Sequence, residues 1–126
     1  MMNKTAIFIF SDPNTGGEEA LGRAFNGLAA AYDIKQSGGD VSITFQGTGT
    51  RWPALITQKG HALHDLYNLV KGNVAGVSCA CADVFGAAEK AKACGIPTIS
   101  ENQIPGTTGL AGFGKLLKFG TTVLTF

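Results

Sequence analysis

Hydrophobic and polar positions along the chain predict strands and helices in alternation. Short runs rich in β-branched and aromatic residues, each closed by turn residues, indicate buried strands. The predicted strands cover 5–10, 41–45, 74–79, 96–100 and 121–126. Between them, apolar residues recur at helical spacing and predict helices over 18–35, about 63–70, 83–93 and 113–119. Glycine and proline residues follow these segments where helices are expected to end.

This alternation, with its short connections, is typical of right-handed βαβ units. Such units build a parallel sheet with helices on both faces, so we predict an α/β fold. Ligands and reactive groups in these folds lie outside the carboxyl ends of the strands. The loops at that edge are predicted to be 11–17, 46–52, 79–83 and 101–108.

Length and composition indicate one domain that spans residues 1–126. Hydrophobic residues make up 44% of the chain and charged residues 15%. This balance can fill one core, and it predicts that part of the surface is buried against copies of the same chain. A net charge of +1, with no run of Lys or Arg, argues against direct nucleic-acid binding and against an anionic membrane surface.

The apolar run over 6–10 is too short for a signal peptide or a membrane span, so we expect a cytoplasmic protein. In that compartment the three cysteines are expected to be thiols rather than a disulfide framework.

Cys79 and Cys81 are the first candidates for chemistry. They lie where a predicted strand ends and a helix begins, and backbone N–H groups at a helix start favour a thiolate. Asp83 would raise the pKa of a nearby thiol, unless its carboxylate caps the helix. The alternative is that both cysteines are small packing residues at the end of a buried strand.

No metal site or cofactor is predicted from the remaining titratable residues. His61 and His64 could share a helix face, but the companion ligands that a zinc site needs are missing, so ordinary structural roles are favoured. Cys94 precedes a predicted helix stop and is expected to fill the core.

The glycine-rich loops predict an alternative function, a small-molecule or nucleotide-binding module without thiol chemistry. Gly47, Gly49 and Thr50 follow a strand, and backbone N–H groups in such loops can cradle a phosphate. Neither this loop nor 11–17 matches a Walker sequence, and Trp52 replaces the last glycine of a dinucleotide fingerprint. Trp52 could line a pocket over the cysteines or anchor a subunit contact.

Three segments resemble the small DsrE/DsrF-like proteins. Residues 45–52, FQGTGTRW, are similar to the family's F-x-G-x-G-T-x-W segment. Residues 76–86, GVSCACADVFG, resemble its G-V-C-x-x-C-A-x-x-F-G segment, and residues 123–126 resemble its last strand.

This resemblance implies a three-layer α/β/α sandwich with a five-stranded, mostly parallel sheet, assembled as a homotrimer or homohexamer. It also implies a sulfur carrier or sulfurtransferase that holds a persulfide and meets a sulfur donor or acceptor protein. The family's second cysteine falls on Cys81, whereas its first falls on Ser78. Cys79 could substitute from one residue away only if a bulge or turn lies there.

On these grounds Cys81 is the predicted sulfur-holding residue, and Cys79 is a resolving or auxiliary thiol. Whether the chain is an enzyme stays open. The residues predicted to contact substrate are Gly47, Gly49, Thr50, Trp52 and Asp83.

Overall fold

A computed structural model describes residues 4–126 and contains one sheet in which all neighbouring strands are parallel. The strands are β1 (Thr5–Ile9), β2 (Val41–Phe45), β3 (Val74–Ser78), β4 (Thr98–Ile99) and β5 (Thr122–Thr125). Their order across the sheet is β4-β3-β2-β1-β5. The predicted α/β fold with a five-stranded parallel sheet is therefore confirmed.

The described residues form six α-helices and two short 3₁₀ turns. The helices are α1 (Gly17–Gln36), α2 (Pro53–Ile56), α3 (His64–Val70), α4 (Cys79–Val84), α5 (Ala88–Ala93) and α6 (Gly114–Lys118). The 3₁₀ turns cover Gly47–Arg51 and Lys71–Asn73. Within residues 4–126, no helix combines the length and apolar character needed to cross a bilayer.

The strand order explains how the helices divide between the two faces. From β1 to β4 each connection steps across the sheet in one direction, and right-handed crossovers then place α1 to α5 on one face. The connection from β4 to β5 runs back in the opposite direction, so the same handedness puts residues 100–121 and α6 on the other face. The result is a sandwich with one thick and one thin helical layer.

The thick layer holds the main hydrophobic core. Ile7 and Ile9 of β1 and Phe45 of β2 are fully buried there, and they join a cluster that includes Leu28 of α1. Burial of each such side chain contributes about 1.5–3 kcal/mol.

The thin layer covers the opposite face only in part. Ala6, Phe8 and Ala111 form a small buried cluster there, with Leu116 of α6 packed against it. Beside them a cavity of about 520 Å³ is lined by polar β2 side chains, including Thr44. One face of this parallel sheet is therefore much less completely filled than the other.

Several predicted boundaries are corrected by the structure, including those of the first strand, which stops at Ile9, and of the last, which covers Thr122–Thr125. The helix predicted over 83–93 is two helices, because Gly86 adopts a left-handed conformation (φ +70°) that ends α4 before α5 begins. The third strand ends at Ser78, so Cys79 and Cys81 belong to α4 rather than to a strand end. The fourth strand contains only Thr98–Ile99.

Candidate functional site

The cysteines lie at the point in the sheet where the crossovers change faces. The connection after β3 belongs to the thick layer, on one face of the sheet. The connection after β4 belongs to the thin layer, on the other face. In open α/β sheets a crevice forms between the carboxyl ends of two such strands. The chain leaves β3 at Ser78 and enters α4 at Cys79, so the cysteine segment lies at the edge of the sheet where this rule places ligands.

Two hydrogen bonds join the end of β3 and the start of α4 to residues 109–111, which belong to the thin layer. The backbone N–H of Ala80 donates to the carbonyl oxygen of Gly109 at 2.7 Å. The backbone N–H of Ala111 donates to the hydroxyl oxygen of Ser78 at 3.1 Å. The Ala80 donor at the helix start is therefore already occupied by the chain itself. Ser78, which the sequence resemblance aligns with a cysteine, is completely buried.

Cys79 and Cys81 differ in exposure. The Cys79 residue is partly exposed, whereas Cys81 is buried with 9% of its surface accessible. Successive residues of an α-helix are rotated by about 100°, so residues two apart point to nearly opposite sides. Both are free thiols, and they do not form a facing pair.

Cys79 could take the place of a cysteine at position 78 only if a bulge or turn lies there. The chain does turn at this point, directly from Ser78 into α4. Ser78 has extended dihedral angles (φ −62°, ψ 122°), and the helix begins at the next residue. Because the chain turns here, the strict alternation of strand side chains no longer applies to Cys79.

Asp83 lies later in α4 and does not cap its start. Its Oδ2 atom accepts a hydrogen bond from the Thr108 hydroxyl at 2.7 Å, and both residues are exposed. Asp83 therefore holds the loop after β4 against α4. The prediction that it contacts substrate stays a prediction.

The glycine-rich loop after β2 packs inside the molecule. It forms the 3₁₀ turn Gly47–Arg51, in which the Thr50 hydroxyl donates to the Gly47 carbonyl at 2.8 Å. Gly49 is buried, and a Cβ atom there would collide with the carbonyl oxygen of Ile9. The glycine at this position thus permits close approach of two backbones. Gly47 is partly exposed, with φ +61°.

Trp52 is an interior anchor in this structure. It is 2% exposed, and its indole Nε1 donates to the backbone oxygen of Ser11 at 2.8 Å. The ring of His61 packs against it edge-on. Trp52 therefore fixes the loop after β1. A substrate contact by Gly47, Gly49, Thr50 or Trp52 stays a prediction.

Arg51 and Asp12 form an ion pair that the sequence alone did not single out. Arg51 Nη1 donates to Oδ1 and Oδ2 of Asp12 at 3.1 and 3.0 Å, and both side chains are mostly buried. Burial raises the pKa of Asp12, but hydrogen bonds from Asn14, Thr15 and Arg51, together with the Arg51 charge, outweigh it and hold that pKa below its ordinary value. The sequence indicated only that the loops containing Asp12 and Arg51 would lie at the same edge of the sheet.

The remaining candidates have structural contacts. His64 Nδ1 lies 2.9 Å from the Ile56 carbonyl oxygen, and His61 Nδ1 accepts the Leu63 N–H at 3.0 Å. Cys94 Sγ lies 3.4 Å from the Thr57 hydroxyl oxygen. Over residues 4–126, no group of three or more His, Cys, Asp or Glu side chains is placed to hold a metal ion.

Cavities of about 180, 390, 420 and 520 Å³ open on the molecule, and the residues that line them do not include Cys79 or Cys81. Cys79 is therefore a partly exposed residue that borders none of these cavities. In comparisons with protein-family models, with curated proteins and with solved structures, no match to this chain was found.

Proposed function

We propose that this protein accepts and passes on sulfur as a persulfide on Cys79. The observation that carries the proposal is the position of Cys79, a partly exposed residue with a free thiol that begins α4 directly after β3. The resemblance to DsrE/DsrF-like proteins supplies the chemistry. A carrier has to meet a donor and then an acceptor, and an open thiol suits both encounters better than an enclosed one.

The transfer step needs no oxidant or cofactor. The Cys79 thiolate attacks the outer sulfur of a donor persulfide, R–S–SH, and the donor S–S bond breaks as the new one forms. The products are Cys79–S–SH and the donor thiolate R–S⁻, so atoms and charge balance. Passing the sulfur to an acceptor thiolate repeats the same exchange in the other direction.

The proposal assigns the carrier role to Cys79 instead of Cys81. Cys81 matches the family's second cysteine, but its burial limits the approach of a donor. The two thiols point to nearly opposite sides of α4, so a disulfide between them would require the first helical turn to unfold. Cys81 in this proposal is a buried packing residue of α4.

The sulfur donor and acceptor are proposed to be proteins that dock at this edge, in the cytoplasm, where thiols stay reduced. Assembly into a homotrimer or homohexamer is part of the same proposal. Exposed apolar side chains support an interface between copies: Val84 is 75% exposed and Phe119 74%.

Intact-mass measurement after incubation with a cysteine desulfurase and cysteine tests the proposal. We expect the wild-type protein to gain the mass of one sulfur atom and to lose it again after treatment with a reducing thiol. Cys79→Ser should abolish the gain, while Cys81→Ser and Cys94→Ser, as matched controls, should retain it. Equal sulfur uptake by Cys79→Ser and the wild type would overturn the assignment.

A further inference from the structure

A cavity of about 180 Å³ lies where three loops at the carboxyl edge of the sheet converge. Asn14 reaches it from the loop after β1 and Arg51 from the turn after β2. Phe85 and Gly86, between α4 and α5, form another wall, and Lys90 of α5 completes it. The proposed sulfur transfer on Cys79 does not use this cavity.

Arg51 is held rigidly at the cavity. Its Nη1 atom binds both carboxylate oxygens of Asp12, and its Nε donates to the Phe85 carbonyl oxygen at 3.3 Å. The guanidinium carbon also lies 5.5 Å from the centre of the Phe85 ring. Among residues 4–126, no acceptor is hydrogen-bonded to Nη2. A fixed guanidinium therefore retains two N–H donors for a further partner.

The charged residues that line the cavity are both cations. Arg51 and Lys90 contribute two positive charges, and the carboxylate of Asp12, which contacts Arg51 from outside the lining, offsets one of them. The Asn14 side chain adds a neutral amide that can donate a hydrogen bond. The apolar remainder of the wall is formed by Ala54, Leu55 and Ala87.

We propose that this cavity binds a tetrahedral oxoanion, a phosphate that is either free or the terminal group of a small metabolite. A guanidinium with a fixed orientation and a nearby ammonium are the groups that proteins use for phosphate. The cavity has the volume of roughly six water molecules at about 30 Å³ each, which is enough for a phosphate group. It is smaller than the roughly 300 Å³ or more that encloses a drug-sized molecule, so any larger part of the ligand extends into solvent.

The binding test is an NMR titration of the full-length ¹⁵N-labelled protein with inorganic phosphate, and separately with glycerol 3-phosphate. Sodium chloride keeps the ionic strength constant. We expect saturable shifts of the backbone amides of Asn14, Gly86 and Ala87. Saturation by inorganic phosphate indicates a site for the free anion, and saturation by glycerol 3-phosphate alone indicates a site for a phosphate ester.

Two lysines of α5 provide a matched pair of variants. Lys90→Ala removes a lining cation and should weaken phosphate binding about tenfold, since it removes one charge-assisted contact. Lys92→Ala removes another exposed lysine of the same helix that does not line the cavity, and should leave binding within about twofold. Shifts that rise linearly with both ligands, or equal weakening by the two variants, would show non-specific attraction and overturn the proposal.

Arg51→Lys tests whether the fixed guanidinium matters beyond its charge. We expect it to weaken binding about tenfold, because lysine cannot keep the contacts with both Asp12 and Phe85 while donating to the anion. The unfolding midpoint in urea, measured in parallel, reports whether the variant is folded. A folded Arg51→Lys protein with wild-type affinity would contradict the proposed role of Arg51.

Discussion

Ser78 and Ala111 are joined by a hydrogen bond in which the buried Ser78 hydroxyl oxygen accepts the Ala111 backbone N–H at 3.1 Å. This contact holds the end of β3 against residues 100–121, which form the thin layer. The resemblance places a cysteine at position 78, where a thiol would be enclosed in this chain. Sulfur is also a weaker acceptor than a hydroxyl oxygen. Serine at this position thus has a structural role, and the partly exposed Cys79 is one residue later.

Ser78→Ala should lower the free energy of unfolding by about 1–2 kcal/mol, because it leaves the Ala111 N–H without its partner in a buried environment. Urea unfolding monitored by circular dichroism measures the change. Ser100→Ala, at an exposed serine, is the control and should change stability by less than about 0.5 kcal/mol. An unchanged midpoint for Ser78→Ala would mean that the hydrogen bond contributes nothing to stability.

Cys79 should react with iodoacetamide in the native protein about ten times faster than Cys81, because accessibility limits alkylation of a buried thiol. Peptide mapping by mass spectrometry at short reaction times measures both rates. In urea the two rates should converge. Faster native labelling of Cys81 would reverse the assignment of the carrier thiol.

Asp12→Asn should destabilise the protein by about 1 kcal/mol at pH 7, since it removes the charged partner of Arg51. The folded-state pKa of Asp12 lies below its ordinary value of 3.8, so the carboxylate's contribution is present above pH 3.8 and is lost as the pH falls through the folded-state pKa. Urea unfolding at pH 7 and near pH 3 should show the difference between variant and wild type shrinking in acid.

Asp40→Asn provides the comparison for that experiment. Asp40 forms a longer, exposed ion pair with Lys4 at 3.8 Å, and its removal should have little effect at either pH. If both aspartate variants behaved alike, the partial burial of the Asp12–Arg51 pair would have no energetic consequence.

Gly49→Ala should lower the unfolding free energy by about 2–3 kcal/mol or more, because the added Cβ collides with the backbone of β1 at Ile9. Gly60→Ala adds the same methyl group in open space and should be nearly neutral. Thermal unfolding measures both. Equal stability of the two variants would show that the Gly49 backbone can move away from Ile9. The predicted substrate contact would then be the remaining reason for glycine at position 49.

Gln46→Met should raise the unfolding free energy by about 1 kcal/mol. Gln46 is 6% exposed, and within residues 4–126 its buried Oε1 atom has no hydrogen-bond partner. A buried polar atom without a partner is costly, and methionine has a similar length without that polar group. A fall of more than about 1 kcal/mol in urea unfolding would show that Oε1 is satisfied by solvent.

Much of the fold was predictable because hydrophobic periodicity reports burial directly. The second strand, Val41–Phe45, has the predicted bounds, and the first helix, Gly17–Gln36, differs from 18–35 by one residue at each end. The break at Gly86 was missed because apolar residues on α4 and α5 continue at nearly helical spacing across it. The short 3₁₀ turn over 47–51 was missed because small polar residues are also typical of open loops.

The candidate site was harder to predict, because exposure depends on contacts between distant segments. Cys79 and Cys81 are equivalent in the local sequence pattern, and only the rotation of α4 distinguishes them. Trp52 was predicted on a loop at the functional edge, yet its burial results from the loop after β1 folding over it. The pairing of Arg51 with Asp12 joins residues 39 apart, which no local spacing reveals.

The position of β1 between β2 and β5 has a consequence for synthesis on the ribosome. β1 is the first strand to emerge, and β2 can pair with one of its edges early. Its other edge keeps unpaired backbone groups until residues 122–125 have been translated, after every other strand. A nascent chain stalled before that point would expose an apolar strand edge, and it would therefore be prone to aggregate or to recruit a chaperone.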